Sequence, residues 1–206
     1  MVRRAQKGGA RRIRRRLTRR APKGTGNALL TEKQITSKNA QDERILRLYQ
    51  ESFPEEERIP FDDLIRLTDD IPLDLTAYSE GGDFIGFTIV CPRESFTWFW
   101  YFAVRADLRG RGIGQSILSS LLRRYRGKRC ILDMESPRQP CANREQRLRR
   151  HAFYLRNGLK DTGTSRTYEG ITYTIMTNSD APFTTRDYDD IVNALRAAWD
   201  NMPSEQ

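Results

Sequence analysis

Apolar residues in this chain change their spacing from helical to alternating and back, and the changes divide it into elements. A short apolar segment, Leu29–Ile35, is the first candidate strand. Ile45, Leu46, Tyr49 and Phe53 then recur at helical spacing over 42–52, and Pro54 stops that run. A second helical stretch is predicted for Phe61–Leu67, after the segment FPEEERIP. From Leu73 the period becomes two. Strands are predicted at Leu73–Ser79 and Asp83–Cys91, joined by a Gly81-Gly82 hairpin turn. After a turn at Pro92–Ser95, FTWFWYFAV (Phe96–Val104) is apolar on both faces, as a central strand covered on either side requires.

Ile113–Tyr125 is the clearest helix. Ile113, Ile117, Leu118, Leu121, Leu122 and Tyr125 form one stripe, with Ser116, Ser119, Ser120, Arg123 and Arg124 expected to face water. Cys130–Met134 reads as a short strand. Asn143 with Gln146 resembles a capping box that opens a helix running to Asn157 and stopping at Gly158. Strands at Lys160–Thr167 and Thr172–Thr177 come next, and a helix at Thr185–Trp199 closes the pattern. Helices, an antiparallel meander and then β-α-β-α-β-β predict an α/β domain with a mixed sheet. The expected organisation is a basic, disordered tail over 1–27, a domain over 28–180 and a helical extension over 181–206, whose Trp199 is a candidate homodimer contact.

Composition narrows the chemistry. No run of about 18 apolar residues occurs, so no membrane span is expected. The N-terminus lacks the apolar stretch of a secretory signal. Cys91, Cys130 and Cys141 are an odd count without a close pair, which argues for a reducing compartment and a cytoplasmic location. With His151 the only histidine, a histidine-based metal site or a Ser-His-Asp triad is not expected. The net charge of +9 is unevenly placed: residues 1–23 hold eleven Lys/Arg and no acid, leaving 25 basic and 27 acidic residues elsewhere. Such a segment is suited to contact polyanions without sequence preference, to act as a transit peptide, or to be a solvated extension.

The clearest chemical signal is Arg109-Gly110-Arg111-Gly112-Ile113-Gly114, which comes directly after the buried strand and opens the amphipathic helix. Glycine lets backbone N–H groups approach a ligand, and those groups with the helix dipole form an anion site suited to a pyrophosphate. A dinucleotide fingerprint would need a third glycine where Gln115 stands, and the Gly-Lys-Ser/Thr of a Walker loop is absent. A turn that only packs helix on strand is the alternative.

The string AVRADLRGRGIGQSIL resembles the acyl-CoA signature of the GNAT N-acetyltransferase superfamily, Arg/Gln-x-x-Gly-x-Gly/Ala, with Arg109, Gly112 and Gly114 in its fixed positions. RHAFYLRNGL is similar to the later helix of that family, with Phe153, Tyr154 and Gly158 in its Phe-Tyr-x-x-x-Gly ending; LDMESP and YTIMT fit its strands. The likeness covers about residues 29–177. It implies a mixed, mostly antiparallel sheet flanked by helices, with splayed parallel central strands that admit acetyl-CoA as cosubstrate, without a metal. The activity it implies is N-acetyl transfer to an amine, on a small molecule or a protein, by direct attack in a ternary complex.

Residue by residue, the resemblance implies that the backbone of Phe102, Ala103 and Val104 pairs with the pantetheine arm. Arg109, Gly110, Arg111, Gly112, Ile113, Gly114 and Gln115 would bind the pyrophosphate. Tyr154 matches the general acid that protonates the departing thiolate, unless it is only a packed helix aromatic. Glu135, at a strand end beside the coenzyme arm, is the first candidate for the base, acting directly or through water; a solvated strand end is its other reading. Glu57 is a second candidate, in a segment that commonly walls the acceptor site. Trp98, Trp100 and Phe102 are expected to share a face, and the two tryptophans are candidates for either core or acceptor pocket. Relatives carry asparagine seven residues before the tyrosine, where this chain has Arg147. The competing function is a catalytically degenerate acetyltransferase-like protein that binds RNA, DNA or the ribosome through its basic segment.

Overall fold

The computed structural model describes residues 30–39, 42–94, 96–168 and 170–200. The basic segment and Leu29 lie outside the described residues, as does the side chain of Trp199. Seven strands are present: β1 (Leu30–Ile35), β2 (Asp74–Glu80), β3 (Asp83–Pro92), β4 (Phe96–Val104), β5 (Arg129–Glu135), β6 (Lys160–Tyr168) and β7 (Ile171–Thr177). They form one sheet in the order β1-β2-β3-β4-β5-β7-β6. The helices among the described residues are α1 (Glu43–Ser52), α2 (Phe61–Asp70), α3 (Ile113–Arg124), α4 (Arg144–Arg156) and α5 (Thr185–Asp200).

Every neighbouring pair is antiparallel except β4 and β5, whose parallel connection is made through α3. That parallel pairing is brief. It joins Phe96 to Arg129, Thr97 to Cys130 and Trp98 to Ile131, and then stops. Beyond Trp98 the two strands no longer pair, so the centre of the sheet is split along the second half of β4. The expected mixed, mostly antiparallel sheet with splayed central strands is the fold observed.

The sheet divides the interior into two cores, in the three-layer arrangement of an α/β domain. On one face Tyr49 of α1, Leu64 and Leu67 of α2 and Tyr188 of α5 pack with Phe87, Ile89, Trp98, Tyr101, Ile131 and Ile175. On the other, Ile117, Leu118 and Leu121 of α3 and Tyr154 of α4 pack with Val90, Phe99, Leu132, Met134 and Met176. The apolar stripe of α3 is therefore buried as its spacing predicts.

Simple alternation fails in the middle of β4. Ile89 pairs with Tyr101 and Val90 with Phe99, so Trp100 has no partner on β3 and forms a β-bulge. The extra residue reverses the faces of the rest of the strand. Trp98 and Trp100 stack at 5.0 Å with 21° between their planes, and Tyr101 joins the same core. Phe102 instead turns to the α3–α4 side, 6.3 Å from Phe153. The expectation that Trp98, Trp100 and Phe102 share a face is thus corrected.

Two further local readings change. Asn143 is the N-cap of α4 but makes no side-chain cap bond; at φ −95° and ψ 20° it already has a near-helical backbone, which does not aim its side chain at the first turn. Ser120, expected to face water, is half-buried and binds the carboxylate of Glu32 on β1; Arg124 is exposed as expected, and its guanidinium also binds Glu32 and donates to Thr76. They tie α3 to the outer strands.

Candidate active site

The glycine loop occupies the end of β4 next to the split. A short 3-10 turn, Ala106–Leu108, carries the chain past Val104, and α3 begins at Ile113. Gly112 is its N-cap, in the left-handed region at φ 84°, and supplies no side-chain cap. The first-turn N–H groups of α3 therefore have neither an intrahelical acceptor nor a capping oxygen, and they meet the positive end of the helix dipole. A Cβ built on Gly112 would touch nothing within 4 Å, so its φ, and not crowding, is what selects glycine. At Gly114 an added Cβ would lie 3.6 Å from the Phe153 ring, which places the start of α3 against α4.

The arginines around this loop differ in their commitments. Arg105 is taken by Asp107, at 2.7 Å, and by the Phe84 carbonyl, at 3.0 Å. Arg109 donates through Nε to the Val104 carbonyl at 3.3 Å, which leaves the end of its guanidinium available. Arg111 is exposed and has no ion pair among the described residues.

Phe102, Ala103 and Val104 pair with Thr88, Phe87 and Gly86 of β3, while their other edge faces the split. In an antiparallel ladder alternate residues direct N–H and C=O away from the partner strand, so this edge offers hydrogen-bonding groups to an extended ligand. Tyr154 is buried near the same split, packed with Cys130, Leu132 and Met134. Its hydroxyl has no hydrogen bond among the described residues. Burial pushes its pKa up to about 12, so the phenol keeps its proton at any ordinary pH.

A polar cluster lies on the other face. Asp133 of β5 is almost fully buried and accepts from Trp98 Nε1 at 3.0 Å, from Arg166 Nη2 at 2.9 Å and from the Tyr188 hydroxyl at 3.3 Å. Arg166 lies 4.1 Å over the Tyr188 ring and 5.4 Å from the Tyr173 ring. The Tyr173 hydroxyl in turn donates to Glu57 Oε1 at 2.9 Å. The Glu57 carbonyl accepts from Tyr101 at 2.8 Å. Burial, followed by the nearby carboxylates Glu57 and Asp133 respectively, pushes the Tyr173 and Tyr188 phenols well above their ordinary range.

Glu135 has different company. One of its oxygens accepts from Arg147 Nη2 at 2.5 Å and the other from Arg150 Nη1 at 3.4 Å. Arg147 is 6% exposed, also reaches the Ser136 carbonyl, and leaves its buried Nε without a partner. The arginine that stands where relatives have asparagine is thus tied to the end of β5.

The structure brings the glycine loop and Tyr154 to one face of the sheet, beside the Phe102–Val104 edge, and Glu57, Trp98 and Trp100 to the other face. Sequence reasoning missed Asp133, Arg166, Tyr173 and Tyr188. An acid in the otherwise apolar run CILDM was a readable signal for Asp133. The others are assembled from β6, β7 and α5, and nothing local announces that meeting.

The sequence model of the acetyltransferase (GNAT) family matches residues 42–158. The chain belongs to the GNAT acetyltransferase family. No curated protein matches it by sequence. A GNAT-family protein from Bacteroides thetaiotaomicron is 25% identical over 81% of this chain and 96% of its own length, with a TM-score of 0.63. A GNAT-family protein from Desulfovibrio desulfuricans is 18% identical over 72% and 98%, with a TM-score of 0.55, and shares the fold. So does an aminoglycoside 6′-N-acetyltransferase solved with coenzyme A, 14% identical over 75% and 99%, with a TM-score of 0.58. Membership of this GNAT family makes the chain an acyltransferase by descent, and the split beside the glycine loop is its candidate active site. No helix among the described residues is long and apolar enough to cross a membrane.

Proposed function

We infer that this chain is an acetyl-CoA-dependent N-acetyltransferase that acts on a primary amine within a ternary complex. The observation that carries the reading is the uncapped N-terminus of α3 at the mouth of a split whose β4 edge is unpaired beyond Trp98. One group favours a pyrophosphate and the other an extended amide-bearing arm, and coenzyme A contains both in sequence. The coenzyme-bound relative supports the same occupant.

Bound there, acetyl-CoA supplies an activated thioester carbonyl. The N–H groups of Ile113, Gly114 and Gln115, with Arg109 and Arg111, hold the diphosphate; the edge of Phe102, Ala103 and Val104 aligns the arm. The amine arrives from the Glu57 side, where the half-buried Trp100 is the candidate wall while Trp98 is a core residue, and must lose a proton before it can attack. Both oxygens of Glu135 accept from guanidinium groups, which makes it the poorer base, and the role is assigned to Glu57, whose Oε1 accepts from the Tyr173 hydroxyl. As the nitrogen–carbon bond forms and the carbon–sulfur bond breaks, sulfur leaves with the electron pair and Tyr154 gives it the hydroxyl proton. Glu135 is reassigned to a positioning role, holding the start of α4 and hence Tyr154 against β5.

Calorimetric titration of acetyl-CoA into the wild type and into Gly112→Glu tests the coenzyme site. Micromolar binding that the folded variant loses is the expected result. A well-folded wild type that does not bind acetyl-CoA would remove the enzyme reading, leaving the polyanion-binding alternative with only residues 1–23 in its favour.

A further inference from the structure

Two guanidinium groups of α4 converge on one carboxylate at the end of β5. Arg147 and Glu135 are the closer pair, at 2.5 Å, with their side chains 7% and 11% exposed. Arg150 approaches the other Glu135 oxygen at 3.4 Å and is 34% exposed. Two cations and one anion leave a single positive charge over. That surplus belongs to Arg150, because Glu135 is already committed to its buried partner.

Helix α4 carries that charge to the candidate acid. Arg150 and Tyr154 are one turn apart, a spacing that puts two side chains on the same helix face with about 5–6 Å between their Cβ atoms. Both meet β5: Arg150 through Glu135 at its end, and Tyr154 through the core it shares with Leu132 and Met134. Arg147 lies two turns from Tyr154 and is engaged by Glu135 and the Ser136 carbonyl. When the carbon–sulfur bond breaks, sulfur takes the electron pair and the Tyr154 proton moves to sulfur. The phenolate left behind recovers a proton from solvent, which has received the one lost by the amine through Glu57. The Tyr154 hydroxyl has no hydrogen bond among the described residues, and a buried anion without a partner is unfavourable. Burial raises its pKa; Arg150 is the cation that opposes the rise, whereas Cys130 and Asp133 add to it.

Given the N-acetyltransferase activity inferred above, on which this assignment rests, we propose that Arg150 is a positioning residue of the acid step: its guanidinium, held by Glu135, stabilises the negative charge that Tyr154 and the departing sulfur share while the proton passes between them. A fixed cation beside the atoms where charge develops needs no reorganisation at the moment of transfer. Glu135 then acts on the leaving-group side of the reaction, through the arginine it holds.

The test uses the full chain and two probes, coenzyme A and desulfo-coenzyme A, which lacks the sulfur. Calorimetry at pH 7 and pH 9.5 gives the ratio of Kd for desulfo-coenzyme A over Kd for coenzyme A. A free thiol has a pKa of about 8.5, and Tyr154 keeps its proton across this range, so a ratio that rises with pH reports preference for the thiolate. In the wild type the ratio is expected to rise at least fivefold. Arg150→Gln, at a half-exposed site that should still fold, is expected to hold the rise below twofold; Arg150→Lys keeps the charge and should restore most of it. An equal rise in wild type and Arg150→Gln, or none in either, overturns the role of Arg150 and leaves the coenzyme site standing. So does an equal loss of affinity for both probes in Arg150→Gln, which would put the guanidinium on another part of the coenzyme. A wild type that binds neither probe defeats the acetyltransferase reading and the role of Arg150 with it.

Discussion

The hydroxyl of Tyr173 donates to Glu57 Oε1 across 2.9 Å, joining β7 to the turn after α1, although 116 residues separate them in the chain. This bond fixes the carboxylate proposed to deprotonate the amine. Replacing Glu57 by Gln should lower kcat by two to four orders of magnitude, the usual worth of a general base, without weakening acetyl-CoA binding. Tyr173→Phe should cost about tenfold. If the bond is the reason, the double variant is no worse than Glu57→Gln alone, which steady-state kinetics on the four proteins reads directly.

Tyr154→Phe removes the proposed acid while keeping the ring that packs on Leu132 and Met134. A fall in kcat of about a hundredfold or more, with little change in melting temperature, is expected. A rate within threefold of wild type would remove Tyr154 from the mechanism.

The same tyrosine has a pH signature. Its folded pKa is about 12, above the unfolded value near 10, because burial disfavours the phenolate. Between those values the folded state keeps a proton that the unfolded state has lost. Its contribution to stability is therefore complete below pH 10 and is lost as pH rises toward 12. Denaturant titrations at pH 9 and pH 11 should show a smaller loss of stability in Tyr154→Phe than in the wild type. For the same reason Tyr154 should place no alkaline limb on kcat below about pH 11.

The reach of the sequence varied with how local each feature is. The α3 stripe and the glycine loop were legible because both depend on spacing within a dozen residues and on one strand-to-helix turn. The faces of β4 were not, because the bulge at Trp100 arises from its pairing with β3, and period-two counting has no means of anticipating an extra residue. Glu135 stood at the expected strand end, but its two guanidinium partners come from one turn of α4, and only the fold shows them converging on it. The cluster of Asp133, Arg166, Tyr173 and Tyr188 draws on four elements, so its chemistry emerges only when the sheet and α5 are assembled.

Asp133 tests that cluster. Asp133→Ala would leave Trp98 Nε1, the Arg166 guanidinium and the Tyr188 hydroxyl without their shared acceptor. Each buried donor left unsatisfied costs about 1–3 kcal/mol, so the variant should melt well below the wild type. Asp133→Asn keeps one carbonyl acceptor and should recover part of the loss. Equal melting temperatures for wild type and Asp133→Ala would show that the cluster adds nothing to stability.

Gly86 sits opposite Val104 at the end of β4, and a Cβ there would lie 2.4 Å from the Ala103 carbonyl oxygen. That is backbone, not the far end of a flexible side chain, so Gly86→Ala must push β3 and β4 apart. A cost of about 1–3 kcal/mol is expected from such overpacking. The displacement would also be passed to the Phe102–Val104 edge, which is proposed to align the pantetheine arm. Gly86→Ala should therefore raise the KM for acetyl-CoA several-fold even at temperatures where the variant is fully folded. Gly82→Ala is the matched control: it lies in the β2–β3 turn, where an added Cβ meets nothing within 4 Å, and it is strained only by its φ of 91°. If both substitutions lower stability but only Gly86→Ala changes KM, the strand edge contributes to coenzyme alignment; if the two behave alike, the edge is only scaffold.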